Sequence, residues 1–384
     1  MNAEKLFHEI DLLAEEYLRV WEDVCNIESP SHHKAGVDAV GKYFSDMAST
    51  RGWTVETLPQ TVSGDVVCIT MNPTAEGEPV CISGHMDTVH PLGSFGTPAV
   101  RIDGDRICGP GVADCKGGVV AGFMAMDALH RLGFSSRPVR LLLQSDEEVS
   151  SMPSNKETIN YISQKAQGAT AFLNLENYKG KGSLCLVRKG IVTFVFTVKG
   201  IAAHSSRCAT DGANAILEAA HKIIELEKIK DNAGLTCCCS VISGGTVPNT
   251  IPDCCQFRAN VRFANTEQYE WMCKKAKEVA ETVVVPGCKT TLEISSFRVA
   301  MEEETRNFDL LARMNRIYRE VGLPEMGAEM NTGGSDAADV SACGVPCVDS
   351  IGVYGEKIHS VDEWASIPSL TESAKYVASA IAWL

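Results

Sequence analysis

Val80-Cys81-Ile82-Ser83-Gly84-His85-Met86-Asp87-Thr88-Val89 is a short apolar run that ends in a histidine and an aspartate. The pattern recurs at residues 139–143 before Glu147-Glu148, at 171–175 before Glu176, and at Pro346-Cys347-Val348 upstream of His359. Apolar runs of this length, alternating with helical segments, read as parallel strands buried on both faces. Open α/β sheets place their ligands beyond the carboxyl ends of such strands. Unrelated stretches of sequence therefore deliver His85, Glu147, Glu148, Glu176 and His359 to one rim, where Asp114 joins them. Those side chains have the donor chemistry to hold two metal ions.

At 384 residues, 45% of them apolar and 22% charged, the chain suits a soluble α/β protein of two domains. A formal charge of -14 argues against nucleic acid or an anionic membrane surface as the main partner. The segment from Met1 to Glu9 has no basic patch followed by an apolar stretch. No segment approaches the roughly 18 apolar residues of a membrane span, so a cytoplasmic location is expected. The 16 cysteines are scattered, include Cys237-Cys238-Cys239 and Cys254-Cys255, and form no Cys-x-x-Cys pair. They read as small buried hydrophobes in a reducing compartment, not as a disulfide scaffold or a thiolate zinc site.

Residues 4–28 and 36–50 carry helical periodicity, and 55–58 and 66–70 look like strands. Gly109-Pro110-Gly111 makes a turn, Asp114 follows, and Gly117-Gly118 opens a helix from about 118 to 132 that Gly133 can cap. From Gly190 the order becomes strand 191–199, helix 213–227, strands 235–242 and 254–263, helix 266–283 and strand 289–295. This β-α-β-β-α-β order is ferredoxin-like. It reads as an α+β domain, 189–298, inserted into a mixed, largely parallel-sheet domain made of 1–188 and 299–384. The hinges fall near Arg188-Lys189-Gly190 and Phe297-Arg298-Val299, and a further helix spans 307–321 before the Gly333-Gly334-Ser335-Asp336 loop.

His85 and Asp87 alternate across a strand end, so Asp87 can accept a hydrogen bond from the ring nitrogen that faces away from a metal and fix its tautomer. His90 is a competing ligand, but Pro91 redirects the chain after it. Asp114 has two oxygens that can each face one cation, the geometry of a bridging carboxylate; its plainer reading is a helix N-cap. In Asp146-Glu147-Glu148 one acid can bind metal while its neighbour faces an activated water.

Taken in order, His85-x-Asp87, Gly109-Pro110-Gly111 to Asp114-x-Lys116-Gly117-Gly118, Asp146-Glu147-Glu148, Glu176, Ala203-His204-Ser205, Gly333-Gly334-Ser335-Asp336-Ala337 and His359-Ser360 resemble the M20 family of co-catalytic zinc peptidases and deacylases. The resemblance spans residues 80–361 and is strongest to the glutamate carboxypeptidase branch, the carboxypeptidase G2 type. It implies a zinc-peptidase-like catalytic fold carrying two Zn2+ ions per chain, with Co2+ or Mn2+ as other divalent ions the same donors accept. One ion would be held by His85, Asp114 and Glu176, and the other by Asp114, Glu148 and His359. The resemblance further implies a non-proline cis peptide after Asp114 and Glu147 as general base; Asp87, the partner of His85, is counted among the catalytic residues. The inserted domain would be the dimerisation, or lid, domain of a homodimer and would carry His204 to the partner's site to stabilise the oxyanion. Asn249, Arg262, Arg298 and the Gly333-Gly334-Ser335 loop would line the substrate site, with Arg298 gripping a carboxylate. Glutamate at 176 is similar to the carboxypeptidase and deacetylase or desuccinylase branches, not to the aminopeptidases. The expected function is metal-dependent cleavage of an amide bond that releases a C-terminal amino acid, glutamate being one candidate, from a small peptide or N-acyl conjugate. An N-acyl-amino-acid deacylase of the acetylornithine or succinyl-diaminopimelate kind is the alternative. Three features depart from the family pattern: Val149-Ser150-Ser151 follows the paired glutamates, Ser206 stands where the family often has glycine, and the lysine of the glutamate-specific members matches Ser183, or Lys181 or Lys179 after a shift.

Overall fold

Asn2 accepts a hydrogen bond from the Lys5 N–H and so starts helix α1 (Ala3–Asn26), whose apolar stripe, Leu6, Ile10, Leu13, Tyr17, Trp21 and Val24, is buried. The computed structural model describes residues 1–178, 182–231 and 234–384, so Lys179 and Lys181 lie outside the described residues. Helix α2 (Lys34–Thr50) follows, then strands β1 (Thr54–Leu58), β2 (Val66–Met71), β3 (Val80–His85), β4 (Arg101–Asp103) and β5 (Arg106–Cys108). Helix α3 (Lys116–Arg131), β6 (Val139–Gln144), α4 (Glu157–Ala166), β7 (Ala171–Asn174) and β8 (Ser183–Arg188) continue the chain.

Contacts divide the chain into two compact units: Met1–Val187, Glu303–Met330 and Ser335–Leu384 form the first, and Arg188–Glu302 with Asn331–Gly334 the second. Arg188, residues 299–302 and Asn331–Gly334, which the sequence places with the first unit, therefore pack with the second. The second unit holds β9 (Gly190–Lys199), α5 (Ala215–Leu226), β10 (Thr236–Gly244), β11 (Cys254–Phe263), α6 (Thr266–Glu281) and β12 (Lys289–Arg298). Its sheet runs β10-β11-β9-β12, and every pair in it is antiparallel. This is the ferredoxin-like order. Strand β11 alternates buried and part-exposed residues because only one face packs on helices.

The first unit closes with α7 (Thr305–Val321), β13 (Gly327–Asn331, whose last residue packs with the second unit), α8 (Asp336–Ala342), β14 (Cys347–Val348), β15 (Gly355–Glu356), β16 (Trp364–Ser366) and α9 (Pro368–Trp383). Its main sheet has the order β1-β2-β6-β3-β7-β14. The four strands from β6 to β14 are parallel, whereas β2 runs antiparallel to β6 and β1 antiparallel to β2. All six residues of β3 are buried, as a strand covered on both faces requires. A smaller sheet, β15-β16-β5-β4, stands apart from it in hydrogen bonding. All 16 cysteines are free thiols and most are buried, and among the described residues no helix is long and apolar enough to cross a membrane.

Candidate metal centre

Strand β3 lies between β6 and β7, so its end, His85, has a neighbouring strand end on each side. His85 is in register with Gln144, from which the chain runs on to Glu147 and Glu148. On the other side the Leu175 N–H donates to the Ser83 carbonyl at 2.7 Å, and Glu176 follows. Asp114 arrives from the start of α3. A Cβ on Gly118 would meet the Leu175 carbonyl oxygen at 1.9 Å, so only glycine lets this helix start seat against the end of β7. The Asp114–Cys115 peptide is cis. Asp114 is not the helix cap; Cys115 occupies that position and makes no side-chain capping bond.

Asp114 stands between two imidazoles, its Oδ1 3.0 Å from His85 Nε2 and its Oδ2 3.2 Å from His359 Nε2. Each imidazole has a second carboxylate beside it: Glu176 Oε1 is 3.6 Å from His85 Nε2, and Glu148 Oε2 is 3.3 Å from His359 Nε2. Cys115 also lies close, in one cluster with His85 and Glu176 whose ligand atoms are within 4.8 Å of one another. Burial and the Asp114 charge push Glu148 up to about 8 and hold Glu176 well above the usual carboxylate range. Hydrogen bonds to Asp114 and Glu148 raise His359 to about 11. Burial alone would depress His85, yet Cys115, Asp114, Asp87 and Glu176 together hold it well above its ordinary value. Burial likewise opposes the charge on Asp114, but His359 and His85 outweigh it and keep this acid low. Such a cluster gathers more negative charge than its imidazoles neutralise and relieves it with protons. Divalent cations relieve it with the donors deprotonated, and carboxylate and imidazole are the donors zinc accepts. The residues fit.

Asp87 serves the site differently from the sequence expectation. The His85 ring bonds through Nδ1 to the Asp87 backbone carbonyl at 2.9 Å, while the carboxylate Oδ1 sits 3.4 Å away. That carboxylate instead accepts the backbone N–H of Glu147 at 3.1 Å, the N–H of Glu148 at 3.2 Å and the Ser31 hydroxyl at 2.6 Å. It therefore holds the turn on which both glutamates stand. Ser31 has no marker in the sequence; it follows Pro30, which bridges to Thr88 beside β3. His90 is not aimed at the cluster, because its Nε2 bonds to the buried Glu363 carboxylate at 2.7 Å.

The remaining expected residues divide between the units. On the second, the Arg298 side chain is buried and lies over Gly334, where a Cβ would meet its Cδ at 2.4 Å. Arg262 donates to the Thr332 carbonyl at 2.8 Å, and Arg188, which the sequence marks only as a hinge residue, donates to the carbonyls of Gly333 and Gly334 at 3.3 and 3.4 Å. Three guanidinium groups thus surround the 332–334 strip. His204 is exposed; its Nδ1 accepts the Ser206 backbone N–H at 3.3 Å and lies 2.8 Å from the Ser206 hydroxyl. A backbone N–H only donates, so the ring proton sits on Nε2, the tautomer that can donate to an oxyanion. Asn249, also exposed, supplies its carbonyl to the Ser205 N–H at 2.9 Å. On the first unit Ser335, expected to line the substrate site, is fully buried. Its hydroxyl accepts from Asn174 at 2.9 Å and caps α8, so it is a structural cap.

The model of peptidase family M20/M25/M40 matches residues 81–383, most of the chain. Carboxypeptidase G2 of Pseudomonas sp. (strain RS-16) is 28% identical over 349 residues, covering 89% of this chain and 83% of that protein. Succinyl-diaminopimelate desuccinylase of Rhodospirillum centenum is 26% identical over 315 residues, covering 77% of this chain and 79% of that one. The Bacillus subtilis YXEP protein, described as a dinuclear metal binding peptidase, shares the fold with a TM-score of 0.71 at 16% identity, over 97% of this chain and 98% of that chain. With carboxylates and imidazoles gathered at the strand ends as that chemistry needs, this chain belongs to peptidase family M20/M25/M40 and is a metal-dependent hydrolase of amide bonds.

Proposed function

We propose that the chain is a two-zinc carboxypeptidase that releases a C-terminal amino acid, glutamate being one candidate, from a small peptide or N-acyl conjugate. The observation that carries this reading is Asp114, shared between His85 and His359, each with a second carboxylate beside it. His85, Asp114 and Glu176 would hold one ion, and Asp114, Glu148 and His359 the other. When bound, such ions lower the pKa of water towards neutrality and polarise the scissile carbonyl. Glu147 takes the water's proton as oxygen attacks the carbonyl carbon, then delivers it to the leaving amine as the C–N bond breaks. Asp87 holds the Glu147 turn, and His204 donates its Nε2 proton to the developing oxyanion. Arg298 forms a bidentate pair with the substrate's free carboxylate. Arg262, Asn249, Gly333 and Gly334 line the same substrate, and Gly334 gives Arg298 room.

A second reading, release of a small acid from an N-acyl-amino acid, is favoured by the likeness to the desuccinylase. Turnover of a panel of C-terminal dipeptides, N-acyl-glutamates and N-succinyl amines separates the two. Cleavage of the dipeptides and N-acyl-glutamates supports the first; activity on the succinyl amines alone overturns it. Arg298→Ala should weaken substrates with a C-terminal carboxylate and leave their amidated analogues, already poor, almost unchanged. Metal analysis under saturating zinc should find two ions per chain.

A further inference from the structure

Glu363 is fully buried and belongs to none of the ligand groups above. Its Oε1 accepts the backbone N–H of Ala113 at 2.9 Å and of Asp114 at 3.1 Å; its Oε2 accepts the Gly111 N–H at 3.3 Å and bonds His90 Nε2 at 2.7 Å. Its own carbonyl accepts the Gly109 N–H at 3.3 Å. The turn before Asp114 therefore points its amides inward at one anion, and that anion comes from the chain itself.

The position of Glu363 in the chain gives this contact its meaning. It stands four residues after His359 and one before β16, and β16 pairs with β5, which leads into the Gly109–Asp114 turn. His90 lies five residues after His85. Three segments that carry His85, Asp114 and His359 thus meet at one carboxylate. We propose that Glu363 is a positioning residue that sets the distance of Asp114 from both His85 and His359, so that both oxygens of Asp114 are preset for two cations. This rests on the metal-centre reading above. Residues that orient ligands from behind commonly change metal affinity about 10- to 100-fold when altered.

Glu363→Gln keeps the shape, but its amide nitrogen cannot accept the N–H groups that face that oxygen. Zinc binding to metal-stripped full-length protein, followed by calorimetry beside the thermal midpoint of the same stripped protein, tests the idea. The expected result is an affinity about 10- to 100-fold weaker in Glu363→Gln, in a stripped protein whose midpoint is lowered by the unpaired donors but which still unfolds in one cooperative transition. His90→Phe, which keeps the packing on Phe95 and removes one donor, should show a smaller loss in the same direction, and it carries the test if Glu363→Gln does not fold. Unchanged zinc affinity in a folded variant overturns the positioning role and leaves the metal centre standing. Failure of the unaltered protein to bind zinc overturns both.

Discussion

Glu147 is the first residue of a short turn whose amide is anchored on Asp87, so its carboxyl can be changed without moving its backbone. Glu147→Gln should retain both metals by elemental analysis and lose about 10²- to 10⁴-fold in turnover, the usual worth of a general base. Near-normal turnover would place the base elsewhere. Glu148 and His359 lead to a pH prediction for the metal-stripped protein. Both have folded values above their ordinary ones, about 8 against 4.5 and about 11 against 6.5. A group raised on folding stabilises fully below its unfolded value and loses that contribution as pH rises through its folded value. Asp114, held low, is already charged above its ordinary value of 3.8 and adds no slope near neutrality. The thermal midpoint of stripped protein should therefore fall as pH rises from 6.5 to 8, and zinc should restore it more at the higher pH because fewer protons must leave the ligands. A midpoint that rises over this interval would contradict the assignment. His85, Glu148 and Glu176 were legible because each follows an apolar run that had to be a strand. Glu363 and Ser31 were not, since neither adjoins such a run and their importance comes from what folds back onto them.

Among the elements, the joint between α3 and β7 decides where Asp114 stands relative to Glu176. Gly118→Ala would put a methyl against the Leu175 carbonyl, which neither helix nor strand can yield without shifting. Overpacking typically costs about 1–3 kcal/mol, and a clash with backbone belongs at the upper end. A lower urea midpoint together with weaker zinc binding is expected; an unchanged midpoint would mean that the joint is looser than the contact implies. The strands themselves were readable from composition, but their directions were not. Strand β2 is buried throughout and gives no alternation, so nothing in it distinguishes an antiparallel neighbour of β6 from a parallel one. The two-residue strands β14 and β15 are too short for any periodic signal. In the second unit, alternation along β9 and β11 and the order of helices between them sufficed for the ferredoxin-like reading.

For the whole molecule, the residues proposed for one reaction are divided between two units: Glu147 on the first, His204 on the second. The second unit also leaves apolar side chains in water, Val241 and Ile242 on the edge strand β10 and Leu217 and Ile224 on α5. An edge strand with exposed valine and isoleucine invites pairing with another chain, and a homodimer through this unit would cover it. If His204 acts across such an interface, an inactive His204→Ala chain and an inactive Glu147→Gln chain are each intact where the other is damaged. Mixed under conditions that exchange subunits, they should regain activity. A random half of the dimers would be mixed, each with one intact site, so recovery approaches about one quarter of the unaltered specific activity by symmetric assembly. Light scattering tests for the dimer, a monomeric mass overturning it, and mass analysis of differently tagged chains tests for exchange. Proven exchange without recovered activity would mean that His204 serves the site of its own chain, and the dimer would then have to be explained by its apolar edge alone.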